Sequence, residues 1–133
     1  DSSLSKCIYG IAAYNLNMEK LGLEFFKDSL NIDLTDATRH TRHGLHMANM
    51  GGTYLLLIYG LLGLRLEKQL RIAPAYQNHF KEISIGILYQ GSKIKIHVKD
   101  YVVTVTSDKP IRIRLFDEDV LVEGQHSELI KKA

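Results

Sequence analysis

A chain of 133 residues, 45% hydrophobic and 24% charged, suits one globular domain or the tail of a larger one. Its 17 basic and 15 acidic residues leave a net charge of +2, too little for a broad field toward nucleic acid or an anionic membrane, so neither partner is expected. The single cysteine, Cys7, excludes an internal disulfide and fits a reducing, cytoplasmic setting, and no secretory signal is visible.

The chain begins at Asp1 rather than Met and enters helix-like sequence at once, so it is expected to be a piece of a longer polypeptide. Leu4, Cys7, Ile8, Ile11 and Ala12 fall at i, i+3, i+4, i+7 and i+8, one face of a first helix. Ser2 or Ser3 is placed to cap its start, since a hydroxyl accepts from the free amides of a first turn. Asn15 to Asn17 breaks the pattern. A second helix carries Met18, Leu21, Phe25 and Phe26 and should end near Asn31. "NIDLTDATRHTRHG" is polar and aperiodic and reads as a loop. A third helix starts between Gly44 and Met47 and runs to about Leu62. Its core, "YLLLIYGLLGL" from Tyr54 to Leu64, is far short of the roughly 20 apolar residues that cross a membrane. It is apolar nearly all round, as a helix covered on every side would be. Gly51 and Gly52 inside it cost up to ~1 kcal/mol each relative to alanine, which close packing would offset.

From about Leu66 the hydrophobic period changes to two. "EISIGILY", "KIKIHV", "YVVTVT", "PIRIRLF" and "DVLVEG" are strands, and Leu70 to Ile72 is a further short one. Ile94, Ile96 and Val98 alternate with Lys93, Lys95 and His97, the pattern of a half-buried antiparallel strand. "YQGSK" supplies a tight hairpin at Gly91, and "TSDKP" and "FDED" supply later turns. Helices first and strands after exclude a βαβ sheet and give an α+β fold. The boundaries expected are helices over 1–64 and an antiparallel β-domain, a sheet or sandwich, over 65–133. Three helices cannot cover the third one alone. Its missing partners should be helices of the parent chain or a second copy, as in a homodimer.

The chemistry-bearing stretch is "TRHTRHGLHMANMGG". His40, His43 and His46 could each ligate zinc. Residues six apart on a helix are turned about 120° from each other, however, and Gly44 interrupts the run. No metal and no cofactor is therefore expected. An anion site is the stronger alternative. Gly44 and His46 sit where a loop enters a helix, with unpaired amides and a dipole that favours negative charge. "DSSLS" has the same form at the first helix, so two such ends meeting would cradle a phosphate. The competing reading is plain capping by Ser2 or Ser3 with a chance histidine, and the bare residues favour it. His79 and His97 read as surface residues. Arg112, Arg114, Lys93 and Lys95 read as a solvated face.

"DSSLS", "DLTDATRHTRHGLHMANMGGTYLLLIYGLLGLR", a proline-bearing linker and a strand-rich tail together resemble the C-terminal part of family 65 glycoside hydrolases, the maltose, trehalose, kojibiose and nigerose phosphorylases. The resemblance runs through essentially the whole chain. It implies the last helices of an (α/α)6 barrel followed by a small C-terminal β-domain. It implies inverting phosphorolysis of an α-linked glucose disaccharide to β-glucose 1-phosphate and a free sugar. A barrel glutamic acid, absent from this chain, would protonate the leaving oxygen, so the chain by itself should be inactive, and Asp1, Asp33 and Asp36 do not take that role. Inverting hydrolases activate water with a second carboxylate. Here phosphate, as co-substrate, replaces that water and base, and a carboxylate would repel it. The family binds phosphate with its seryl and Gly-Leu-His motifs, which implies Ser2, Ser3, Gly44 and His46 as phosphate ligands and moves His46 from capping bystander to the favoured reading. His43 where an acidic residue is frequent, and Tyr54 where Trp is frequent, are departures that bear on the sugar rather than the phosphate. The rival classes are a structural or dimerisation domain without a phosphate role, and a sugar-binding module. The absence of Trp speaks against the last.

Overall fold

The computed structural model describes residues 5–32, 47–76 and 80–132. The chain divides into two compact units, Asp1–Leu62 and Gly63–Ala133.

The first unit holds α1 (Ser5–Asn15), α2 (Glu19–Asn31) and α3 (Met47–Leu55), the last continued by a π-helical segment, Leu56–Leu61. Asn17, with φ of 57°, turns the chain between α1 and α2. Contacts run in opposite order along these two: Lys6 binds Asp28, Cys7 meets Ser29, and Tyr14 lies on Gly22, so they are antiparallel. Along α1 and α3 the order is the same. Cys7 meets Asn49, Gly10 meets Leu56, and Tyr14 meets Gly60, so these two helices are parallel and start at the same end of the unit.

Small residues set the spacing. A Cβ on Gly10 would sit 2.8 Å from both Leu56 methyls, and one on Gly52 would sit 2.8 Å from Cys7 Sγ. Close packing at Gly52 is the offset its place in a helix requires, whereas Gly51 faces open space. The buried face of α1 is Cys7, Gly10, Ala13 and Tyr14. The expected face is displaced: Ile8 is 62% exposed, and Ala12 is exposed too. Periodicity follows the largest apolar side chains, but close helix approach selects the smallest. The third helix is likewise covered on one side only, with Leu56, Ile58 and Leu61 buried and Tyr54, Leu55 and Tyr59 exposed.

The second unit is two four-stranded sheets. One has the order β1 (Arg65–Leu66), β2 (Leu70–Ile72), β6 (Ile111–Leu115), β7 (Glu118–Val122); the other has the order β3 (Glu82–Tyr89), β4 (Ser92–Lys99), β5 (Val102–Ser107), β8 (Gln125–Leu129). Alternation puts Ile94, Ile96, Val98, Val103 and Val105 on the buried face of one, and Ile72, Ile111, Ile113, Leu115 and Val122 on that of the other. A sheet with one apolar face must cover it, and the two faces form one sandwich core. Each fully buried large side chain contributes roughly 1.5–3 kcal/mol.

Turn chemistry fixes the registers. Tyr89 pairs with Ser92 across Gln90 and Gly91, both at positive φ, the mirror-image turn whose twist suits a hairpin. Lys99 pairs with Val102 in the same way across Asp100 and Tyr101, without a glycine. The pairing is not wholly antiparallel as expected: β2 runs parallel to β6, with Arg71 opposite Arg114 and Ile72 opposite Leu115. That pair joins strands distant in sequence, which alternation within either strand does not reveal. β1 and β8 were not expected either; β8 is an edge strand with a polar sequence, "QHSEL".

Candidate functional site

The four residues singled out for phosphate, Ser2, Ser3, Gly44 and His46, lie outside the described residues, as do Asp33, Asp36, His40, His43 and His79. What the structure gives is the pair of helices that follow them. Ser2 and Ser3 directly precede the first described turn of α1, and His46 directly precedes Met47 at the first of α3. Neither first turn carries an acidic residue, so no carboxylate there offsets the positive end of the helix dipole. Lys6, in that turn of α1, is paired with Asp28 at 2.8 Å.

The two starts are joined by a buried polar cluster. Asn49 donates its amide N–H to the Ser29 carbonyl at 2.8 Å, and Cys7 Sγ approaches Asn49 Oδ1 at 3.5 Å and Ser29 Oγ at 3.3 Å. Thr53 donates its hydroxyl to the Asn49 carbonyl at 2.9 Å. All four residues are buried. One side chain from each helix therefore meets at the end where α1 and α3 begin and α2 finishes. The sequence signal for this cluster was present but faint: Cys7, Asn49 and Thr53 are small and polar on faces otherwise read for their apolar members.

At the far end of α1, Tyr14 is buried between Gly22 and Gly60, and its hydroxyl has no hydrogen-bond partner among the described residues. Burial, and then the negative charge of Glu19, push its pKa up to about 12, so it stays neutral.

The β unit offers less chemistry. Arg114 binds Asp119 at 3.1 Å and Arg71 binds Asp117 at 3.3 Å, so both guanidiniums are engaged. An open hollow of about 540 Å³ is lined by Glu67, Lys68, Gln69, Arg114 and Asp119, with mixed charges that answer one another. His97, on the surface as expected, shares a 2.7 Å hydrogen bond with Glu82. That bond, and then the charge of Lys99, hold the Glu82 carboxyl below its ordinary range. Among the described residues no group of three or more His, Cys, Asp or Glu side chains is arranged to hold a metal ion. No described helix is long and apolar enough to cross a membrane.

Comparison with known proteins decides the family. Residues 1–55 match the profile of the glycosyl hydrolase family 65 central catalytic domain, and residues 64–122 match that of the family's C-terminal domain. The chain belongs to glycosyl hydrolase family 65. Its relatives in the family include the alpha,alpha-trehalose phosphorylase of Geobacillus stearothermophilus, 34% identical over 119 residues, which are 87% of this chain and 16% of that protein. The maltose phosphorylase of Bacillus subtilis (strain 168) is 30% identical over 128 residues, 94% of this chain and 17% of that protein. The kojibiose phosphorylase of Escherichia coli (strain K12) is 27% identical over 116 residues, 86% of this chain and 15% of that protein. The family 65 chain described here thus spans about a sixth of the length of these relatives. In fold it matches a solved structure, a candidate kojibiose phosphorylase from the human microbiome, with a TM-score of 0.89 at 21% identity, covering 99% of this chain and 20% of that one.

Proposed function

We propose that this chain is the C-terminal part of an inverting disaccharide phosphorylase, and that its role in the reaction is to hold inorganic phosphate. The reaction is cleavage of an α-glucosidic bond by phosphate, giving β-glucose 1-phosphate and a free sugar. The catalytic carboxylic acid and the sugar-binding loops belong to the larger part of the enzyme, an (α/α)6 barrel whose last helices are α1 to α3. The Gly63–Ala133 unit is its C-terminal β-domain. The enzyme works in the cytoplasm as a homodimer and needs no metal or cofactor beyond the phosphate co-substrate.

One observation carries the phosphate role. α1 and α3 are parallel, and their first described turns meet through Cys7 and Asn49. The two motif-bearing stretches therefore lead into helices that begin side by side. Two helix starts of the same polarity, neither neutralised by a carboxylate of its own, favour one shared anion. On this reading Ser2 and Ser3 donate hydroxyls and Gly44 permits close approach to the main chain. His46 donates a ring N–H, with a positive charge when protonated. These donors orient phosphate for attack at the anomeric carbon while avoiding the repulsion a carboxylate would bring.

Replacement of His46 tests the assignment. In the full-length protein, His46→Ala should raise the KM for phosphate by ~10–100-fold, the loss of one charge-assisted hydrogen bond of about 1.5–3 kcal/mol, with little change in the KM for disaccharide. Equal changes in both constants would show His46 to be structural. Release of β-glucose 1-phosphate only when phosphate is supplied distinguishes the phosphorylase from a hydrolase.

A further inference from the structure

The first turn of α3 is held by one side chain. Met47, Ala48 and Met50 are exposed, and Asn49 between them is 2% exposed. Asparagine is a poor helix former, and its amide must find partners when buried. A leucine, of the same branched shape, would bring no such demand. What asparagine adds is direction. Its Nδ2 donates to the Ser29 carbonyl on α2 at 2.8 Å, and its Oδ1 faces Cys7 Sγ on α1 at 3.5 Å. A buried amide with two such partners adds direction to the apolar contacts of the helix.

At this level α3 meets α1 through Gly52, which has no side chain to interlock with Cys7. The interlocking contacts between α1 and the third helix lie further along, where Leu56 meets Gly10 and Tyr14 meets Gly60. A slip of one residue would move the start of α3 by about 1.5 Å and rotate it by about 100°. Misplacement of a binding group by about 1 Å is enough to cost ~100-fold in rate.

We propose that Asn49 is a positioning residue for phosphate. It holds the start of α3, which directly follows His46 in sequence, in register with the start of α1. The proposal rests on the phosphate reading above. Asn49 touches neither substrate; it acts through the helix start it anchors.

The test uses the full-length enzyme with trehalose, maltose or kojibiose, whichever the wild type phosphorolyses, and varied inorganic phosphate. Asn49→Leu keeps the branched shape, with added bulk, and removes the directional bonds. The expected result is a phosphate KM raised ~10-fold, a fraction of the ~100-fold limit for such displacements. The disaccharide KM should stay close to wild type, and the melting temperature should fall, because the Ser29 carbonyl loses its donor. An unchanged phosphate KM, or a parallel rise in both constants, overturns the proposal. Should Asn49→Leu fail to fold, Asn49→Ala is read by the same criteria. His46→Ala separates the two levels. If it raises the phosphate KM selectively and the Asn49 variants do not, the positioning role alone falls. If it does not, the phosphate site falls and the role of Asn49 falls with it.

Discussion

The two units meet the problem of a hydrophobic core in opposite ways. In the β unit Ile96, Val105, Ile113 and Leu115 are fully buried in a core made by two sheets, and alternation sends Lys93, Lys95 and Arg112 to the outside. In the helical unit, Ile8, Tyr9, Met50, Tyr54 and Tyr59 stay exposed while glycines, Cys7, Asn49 and Ser29 lie inside. Burial in the second unit follows alternation along each strand; in the first it combines large apolar side chains, Phe26, Leu56 and Leu61, with glycines and a small polar cluster.

The comparison breaks most sharply under substitution of equivalent apolar residues in the two units. Ile113→Ala in the sandwich core should cost about 2–5 kcal/mol in urea unfolding, because it leaves a cavity between close-packed sheets. Tyr54→Gln, although it removes a larger apolar side chain, should change the stability of this 133-residue chain by less than about 0.5 kcal/mol, because Tyr54 is 60% exposed. A large loss at Tyr54 would mean that the helical unit is covered by its own residues after all.

A smaller effect comes from the surface of the β unit. Glu82 has a depressed pKa in the folded state, caused first by the hydrogen bond with His97 and then by Lys99. A carboxylate whose folded pKa lies below its unfolded value contributes stability that is present above the unfolded pKa, near 4.5, and lost as pH falls through the folded one. Glu82→Gln should therefore lower the melting temperature slightly at neutral pH and make no difference at pH values below the folded pKa. A difference that persisted or grew in acid would contradict that sign.

Most of the β unit was readable from residue order. Ile94, Ile96 and Val98 against Lys93, Lys95 and His97 gave both strand and face, and Gly91 gave the first hairpin, because period and turn type are local properties. The Asp100–Tyr101 turn was missed because it takes positive φ without glycine. The β2–β6 pair was missed because pairing order is not local. In the helical unit the three helices were legible and their faces only in part: Cys7 and Phe26 are buried as their spacing implied, and Ile8 is not. Ile8 and Ile11 outweigh Gly10 and Ala13 on any scale of hydrophobicity, yet the small pair lets α2 and α3 approach. The motifs around Ser2 and His46 could be recognised in sequence. The common start of α1 and α3 required the contacts of Cys7.

The central claim is that two helix starts serve one oxyanion. Its most direct test is a crystal structure of the full-length protein soaked with phosphate, at a resolution that shows the anion's oxygens. The account expects one phosphate within hydrogen-bonding distance of the Ser2 or Ser3 hydroxyl and of the His46 ring together. A phosphate bound elsewhere, with the serine and histidine stretches on separate surfaces, would contradict it.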